Sequence, residues 1–150
     1  MRWKFAGLVA VVVLAACGGG GGTASNPSPS PTVKPIPFTM NASGGSGVSG
    51  SGTIAKGSGS FTVTVKLTGL AGNSSHVSHI HKGSCSSPGG IALALQSVVA
   101  DASGAGTATS TLTQDYSVPA TGWYVNVHAG PDLSSAANAK GISCGDLTAG

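Results

Sequence analysis

The sequence predicts an all-β domain, built as an antiparallel sandwich or flattened barrel of seven or eight short strands. Three observations predict it. From Phe38 onward the dominant hydrophobic period is two, the repeat of a strand with one buried face. Gly-rich breaks interrupt that pattern at short intervals, the spacing of many short strands without a convincing helix. Glu is absent and the single Arg is Arg2, so a charged helical bundle or coiled coil lacks the residues it needs.

From the amino terminus, Arg2 and Lys4 precede an apolar run of twelve residues, Phe5 to Ala16. That run is too short for a hydrocarbon core of about 30 Å and has the form of a removable signal segment, so residues 1–16 are expected to be a signal peptide. Residues 17–37 read as a tether: five consecutive Gly follow Cys17, then Asn26-Pro27-Ser28-Pro29-Ser30-Pro31. Such a segment cannot bury enough apolar surface to offset its ordering entropy. Its Gly portion is expected to be flexible and its Pro portion an extended spacer. Residues 38–150 remain as one folded domain. The chain's seven Lys and Arg against four Asp give a formal charge of +3, but Arg2 and Lys4 belong to the leader. Five Lys and four Asp are left, a net of +1, with no basic stripe, which excludes nucleic acid as a partner.

The strands then follow in order. Ile36 to Asn41 and Gly47 to Ala55 are the first two. In the third, Phe61, Val63, Val65 and Leu67 alternate with Thr62, Thr64, Lys66 and Thr68. Val77 to Lys82 is the fourth. Ile91-Ala92-Leu93-Ala94-Leu95 would pass for a helical turn in isolation, but Gly89-Gly90 before it and Val98-Val99 after it favour a fifth strand over Ile91 to Val98. Gly106 to Leu112 is the sixth. Gly122 to His128 is the seventh, with aromatic and β-branched residues that favour strand, and Ile142 to Leu147 closes the series.

Alternation also directs side chains. With Ile80 facing the core, His79 and His81 project from the outer face; with Val125 and Val127 inward, Asn126 and His128 project outward. Three histidines from two strands on one outer surface is a geometry that can close around a metal. Three imidazoles suit copper best among first-row metals, with zinc next. The competing reading is that these histidines decorate a solvated face. For the fourth, His76, a hydrogen bond to a loop is the expectation. No Ser/His/Asp arrangement with a nucleophile elbow and no phosphate-binding Gly loop is present.

Leu14-Ala15-Ala16-Cys17 resembles the lipobox of bacterial lipoproteins. The resemblance implies a diacylglycerol on Cys17, cleavage before it and acylation of the new amino terminus. Two or three acyl chains would anchor the protein stably on the extracytoplasmic face of a bacterial membrane. Cys85 and Cys144 then remain. In an exported protein an isolated pair is most simply one disulfide, closing a loop of about 60 residues worth roughly 4 kcal/mol. Thiolate metal ligation is the alternative.

The run from Gly69-Leu70 through His76-Val77-Ser78-His79-Ile80-His81 to Gly83 and Cys85 is similar to a segment of the copper/zinc superoxide dismutase superfamily. Val98-Val99-Ala100-Asp101-Ala102-Ser103-Gly104, Val127-His128-Ala129-Gly130-Pro131-Asp132-Leu133 and Cys144-Gly145 resemble later segments of the same superfamily. The resemblance spans Gly47 to Leu147. It implies a Greek-key β-barrel, one copper ion on His79, His81 and His128, a structural His76 and a Cys85–Cys144 disulfide. The chain departs from that family in two places. Only Ser86 to Gly90 separate Cys85 from Ile91, where the family has a long loop carrying zinc ligands and a bridging imidazole; zinc is therefore not expected. Gly141 stands where the family places an anion-guiding Arg, with Lys140 beside it as a weak substitute.

A second resemblance is to chordin-type (CHRD) domains, carried by Ser78-His79-Ile80-His81-Lys82-Gly83 and by Tyr124-Val125-Asn126-Val127-His128. The Gly-Glu-Ile-Arg-Gly run usual in those domains is absent, and Ile142 to Leu147 stands in its place. Three functions follow: a lipid-anchored copper-only superoxide dismutase; a non-catalytic CHRD-like module meeting a surface or periplasmic protein or a glycan; and a protein that stores or delivers copper.

Overall fold

A computed structural model of the protein describes residues 33–150. The expected signal peptide, Cys17 and most of the expected tether lie outside the described residues. The described part contains eight strands: β1 (Ile36–Ala42), β2 (Ser49–Gly57), β3 (Ser60–Thr68), β4 (Ser75–Gly83), β5 (Pro88–Val99), β6 (Gly106–Leu112), β7 (Trp123–His128) and β8 (Gly141–Leu147). One helical turn, α1 (Ala136–Ala139), precedes β8. All eight expected strands are present.

Four boundaries differ from the expectation by two or three residues: both ends of β2, which runs from Ser49 to Gly57, and the starts of β4 and β5. β4 begins at Ser75 and β5 at Pro88. Their ladder is irregular, with register shifts between His76 and Ser78, between Ile80 and His81 and between His81 and Gly83. Such bulges carry pairing through a Gly-Gly segment whose sequence has no alternation, and Pro is tolerated as the first residue of a strand.

The strands lie in the order β5-β4-β7-β8-β1-β2-β3-β6, and every ladder is antiparallel. With β5 and β6 brought together at the two ends of this order by the Ala100–Gly106 bridge, the consecutive strands β4, β5 and β6 have β7 beside β4 and β3 beside β6, the connectivity of two overlapping Greek keys. β1 bridges the halves: residues 36–40 pair with β2, while Asn41 and Ala42 pair with β8. The seam between β5 and β6 is held by the Ala100–Gly106 bridge and by the Gln96 amide donating to Ser110 Oγ at 2.8 Å. The result is a flattened, nearly closed barrel, which leaves little free edge for unwanted pairing.

Inside it, Phe61, Val63, Val65 and Leu67 of β3 all point inward, as their alternation predicts, and pack with Met40, Ile54, Ile80, Val98, Val125 and Val127. The Phe61 ring meets Tyr116 edge-on at 5.2 Å and stacks on Trp123 at 6.5 Å, closing one end of the core. At the turn between β5 and β6, Asp101 accepts from the amides of Ser103 and Ala105. These bonds, led by the one from the Ser103 hydroxyl, hold its carboxyl below its ordinary pKa. Gly104 in that turn has φ +81°, and a Cβ there would lie 2.2 Å from the Leu70 carbonyl oxygen, so the turn requires glycine.

Candidate metal centre

β4 and β7 are neighbours, and their register sets Ser78 opposite Val127, His79 opposite Asn126 and His81 opposite Tyr124. Paired residues share a face. Ser78, Ile80, Val125 and Val127 therefore point into the barrel, and His79, His81 and His128 point out of it on adjoining strands. The three imidazole centroids form a near-equilateral triangle with sides of 5.3, 5.6 and 5.9 Å. One nitrogen from each ring lies within 4.8 Å of the other two.

On the outer face these rings are nonetheless covered: His81 is 8% exposed and His128 5%. Strand alternation places them outside the barrel, but two connections fold over them. From the β4–β5 loop side the Gly89 carbonyl takes a hydrogen bond from His81 Nδ1 at 2.9 Å. From α1 the Ala139 carbonyl takes one from His128 Nδ1 at 2.7 Å. A carbonyl oxygen can only accept, so each Nδ1 carries the proton, and in a neutral imidazole Nε2 keeps its lone pair. This outer arrangement, a backbone carbonyl fixing the tautomer of a histidine, is the one metal-binding histidines use.

Among the described residues, the buried side-chain polar atoms without any hydrogen-bond partner are His79 Nδ1 and His81 Nε2. Buried polar atoms are otherwise paired, so two unpartnered nitrogens on rings of one cluster call for a partner that the protein itself does not supply. The remaining donor, His128 Nε2, has only the Asn126 amide nitrogen at 3.4 Å, a long contact. Burial lowers the pKa of His79, and the neighbouring His128 and His81 lower it further. Burial also lowers that of His128; the hydrogen bond to Ala139 opposes the shift and His81 adds to it. Neutral imidazoles with convergent lone pairs are what a soft to borderline divalent or monovalent metal requires. The residues present thus fit a mononuclear three-histidine site.

His76 is different. It is buried on the inner side of β4, its Nδ1 donates to the His128 carbonyl at 3.0 Å, and its Nε2 is 2.7 Å from Ser74 Oγ. Both ring nitrogens are engaged, so it offers no free lone pair and instead braces the backbone of His128. Cys85 and Cys144 form a disulfide with a Cα–Cα distance of 5.9 Å. The Cys85 amide also donates to Asp146 Oδ1 at 2.7 Å, so the loop between β4 and β5 is fastened twice to β8. That loop is Ser84 to Ser87 only, and it contains no histidine.

Lys140 is exposed and caps α1, with its side chain lying along the β1–β2 turn, where a Cβ on Gly44 would meet its Cε at 2.7 Å. Sequence reasoning did not identify the carbonyls of Gly89 and Ala139, because a backbone group carries no residue signature. Asn126 was placed outward by alternation, but nothing in its spacing assigned it a role. A cleft of about 200 Å³ lies beside it, bordered by Tyr124, Asn126, Gly141, Pro88 and the disulfide. Neither this cleft nor the larger hollows of about 500 and 620 Å³ elsewhere are lined by histidine.

Residues 29–130 match the family model described as the CHRD domain, about two thirds of the chain, including all four histidines. No curated protein matches the chain.

Proposed function

Since the chain belongs to the CHRD domain family, we propose that it is a lipid-anchored, extracytoplasmic CHRD module whose outer face holds one copper ion on His79, His81 and His128. One observation carries this reading: three imidazoles converge, and two of their ring nitrogens, His79 Nδ1 and His81 Nε2, are buried with no hydrogen-bond partner. His79 contributes Nδ1, His81 and His128 contribute Nε2, and the Gly89 and Ala139 carbonyls hold the two Nδ1–H groups away from the ion. Copper would supply one-electron Cu(II)/Cu(I) chemistry there. The rings themselves orient the site and keep protons off the ligand atoms, and the covering loops restrict water. Zinc as a second metal is not part of the reading, since the short Ser84–Ser87 loop brings no further ligands and His76 is engaged elsewhere.

The resemblance to the superoxide dismutases places superoxide among the candidate reactants, with Lys140 the nearest equivalent of an anion-guiding cation. The short loop and the glycine at 141 favour slow turnover, or a role in holding and delivering copper, over efficient dismutation. The family match favours a second reading, a non-catalytic surface module that meets a protein or glycan and needs no metal. Metal analysis of the copper-loaded domain separates them. One equivalent of copper in the wild type, lost in His79→Ala and in His128→Ala, supports the metal centre. No bound copper in the wild type leaves the non-metal module. A superoxide-decay assay on the loaded protein then divides enzyme from store.

A further inference from the structure

We propose that Asn126 holds a small exogenous ligand, a water molecule or a small anion, on the ion of the three-histidine cluster, and that Gly141 is a glycine in order to seat that amide. This rests on the copper reading above and extends it to the ligand side of the site.

Asn126 lies on the outer face of β7, opposite His79 and two residues before His128. Its Nδ2 is 3.4 Å from His128 Nε2, the ring atom left with a lone pair because Nδ1 is committed to Ala139. A metal ion on that nitrogen takes the lone pair. The amide N–H then loses its acceptor in a half-buried position and needs another. Three imidazoles leave at least one position open on a four-coordinate ion, and an atom bound in that position is an acceptor within the amide's neighbourhood.

Gly141 supplies the second observation. It pairs with His128 across β7 and β8, and a Cβ at this position would lie 2.8 Å from Asn126 Oδ1 and 3.2 Å from Nδ2. Any side chain at 141 and the present amide position exclude each other. The cleft of about 200 Å³ on the Gly141 side of the amide is bordered by no charged side chain and by none of the three histidines, so it gives the amide space to shift while the ligand itself sits on the histidine side. Recognition there is by hydrogen bonding from a neutral amide, which suits a compact acceptor and gives little advantage to charge as such.

The test titrates the copper(II)-loaded protein with azide, followed by ligand-to-metal absorption and by electron paramagnetic resonance. Asn126→Ala and Gly141→Ala are compared with the wild type; the second displaces the amide from β8 without removing it. Both variants are expected to keep one copper per chain and the wild-type circular dichroism, and to bind azide about tenfold more weakly, the effect of one lost hydrogen bond. Azide affinity equal to wild type in Asn126→Ala overturns the proposal alone. A wild type that takes up no copper, seen before azide is added, overturns it together with the metal reading beneath it.

Discussion

A histidine is a ligand only while it is neutral, so on the proposed metal reading the burial of His79 and His128 bears on function as well as on structure. Both pKa values lie below the ordinary 6.5, chiefly through desolvation, with the neighbouring rings adding to it. In the unfolded chain these histidines take up protons near pH 6.5, whereas in the folded domain they resist until lower pH. Unfolding therefore binds protons in that window, and stability rises with pH across it. The metal-free domain should have its full contribution from these groups above pH 6.5 and lose it as pH falls through the folded pKa values. Urea unfolding at pH 7.5 and 5.5 checks this, and the slope should shrink in a His79→Ala/His128→Ala variant. A pH-independent midpoint in the wild type would contradict the assignment. At this scale the direction of each ring was legible from alternation around Ile80 and Val125. Their burial was not, because the groups that cover them, Gly89 and Ala139, act through backbone carbonyls.

The elements around the site show how a short loop can position a histidine. Ser84 to Ser87 connects β4 to β5, and its Cys85 is fastened to β8 by the disulfide and by Asp146. Two residues beyond the loop, the Gly89 carbonyl fixes His81. The disulfide thus ties β8 to the loop that leads to the carbonyl fixing the tautomer of His81. Replacing both cysteines, Cys85→Ser with Cys144→Ser, should lower stability by roughly 2–5 kcal/mol and weaken copper binding through His81. Denaturant unfolding and a competitive copper titration measure the two effects, and unchanged copper affinity would separate the loop from the site. The strands themselves were legible, since Phe61 to Leu67 carries an unambiguous period of two and Trp123 to His128 is rich in aromatic and β-branched residues. The start of β5 at Pro88 was not, because Gly89-Gly90 has no pattern and pairing there is imposed by β4. The four-residue α1 was also missed: Ser135 caps it by accepting from the Asn138 amide, but one turn is too short to leave a period.

The whole molecule joins a nearly neutral barrel to an amino-terminal segment of quite different composition. Its closure order, β5-β4-β7-β8-β1-β2-β3-β6, puts the two histidine-bearing strands side by side although 40 residues or more separate them in sequence. Period and breaks made the all-β class legible, but adjacency of β4 and β7 is long-range pairing that no local pattern encodes; only the family resemblance pointed to it. The low charge, five Lys and four Asp beyond Lys4, agrees with a site that recognises by hydrogen bonds more than by field. Anchoring belongs to this scale too. Cys17→Ala should move the protein from the membrane fraction to the soluble one after cell fractionation, and membrane retention of that variant would contradict a lipid anchor.

The central claim is that one copper ion sits on three imidazoles of the outer face. Electron paramagnetic resonance of the domain loaded with one equivalent of copper(II) tests it most directly. The account predicts a single species whose nitrogen couplings correspond to three histidine ligands and whose spectrum changes in His79→Ala, His81→Ala and His128→Ala but persists in Lys140→Ala. A spectrum of free or non-histidine copper in the wild type, or one unaltered by all three histidine substitutions, would contradict it.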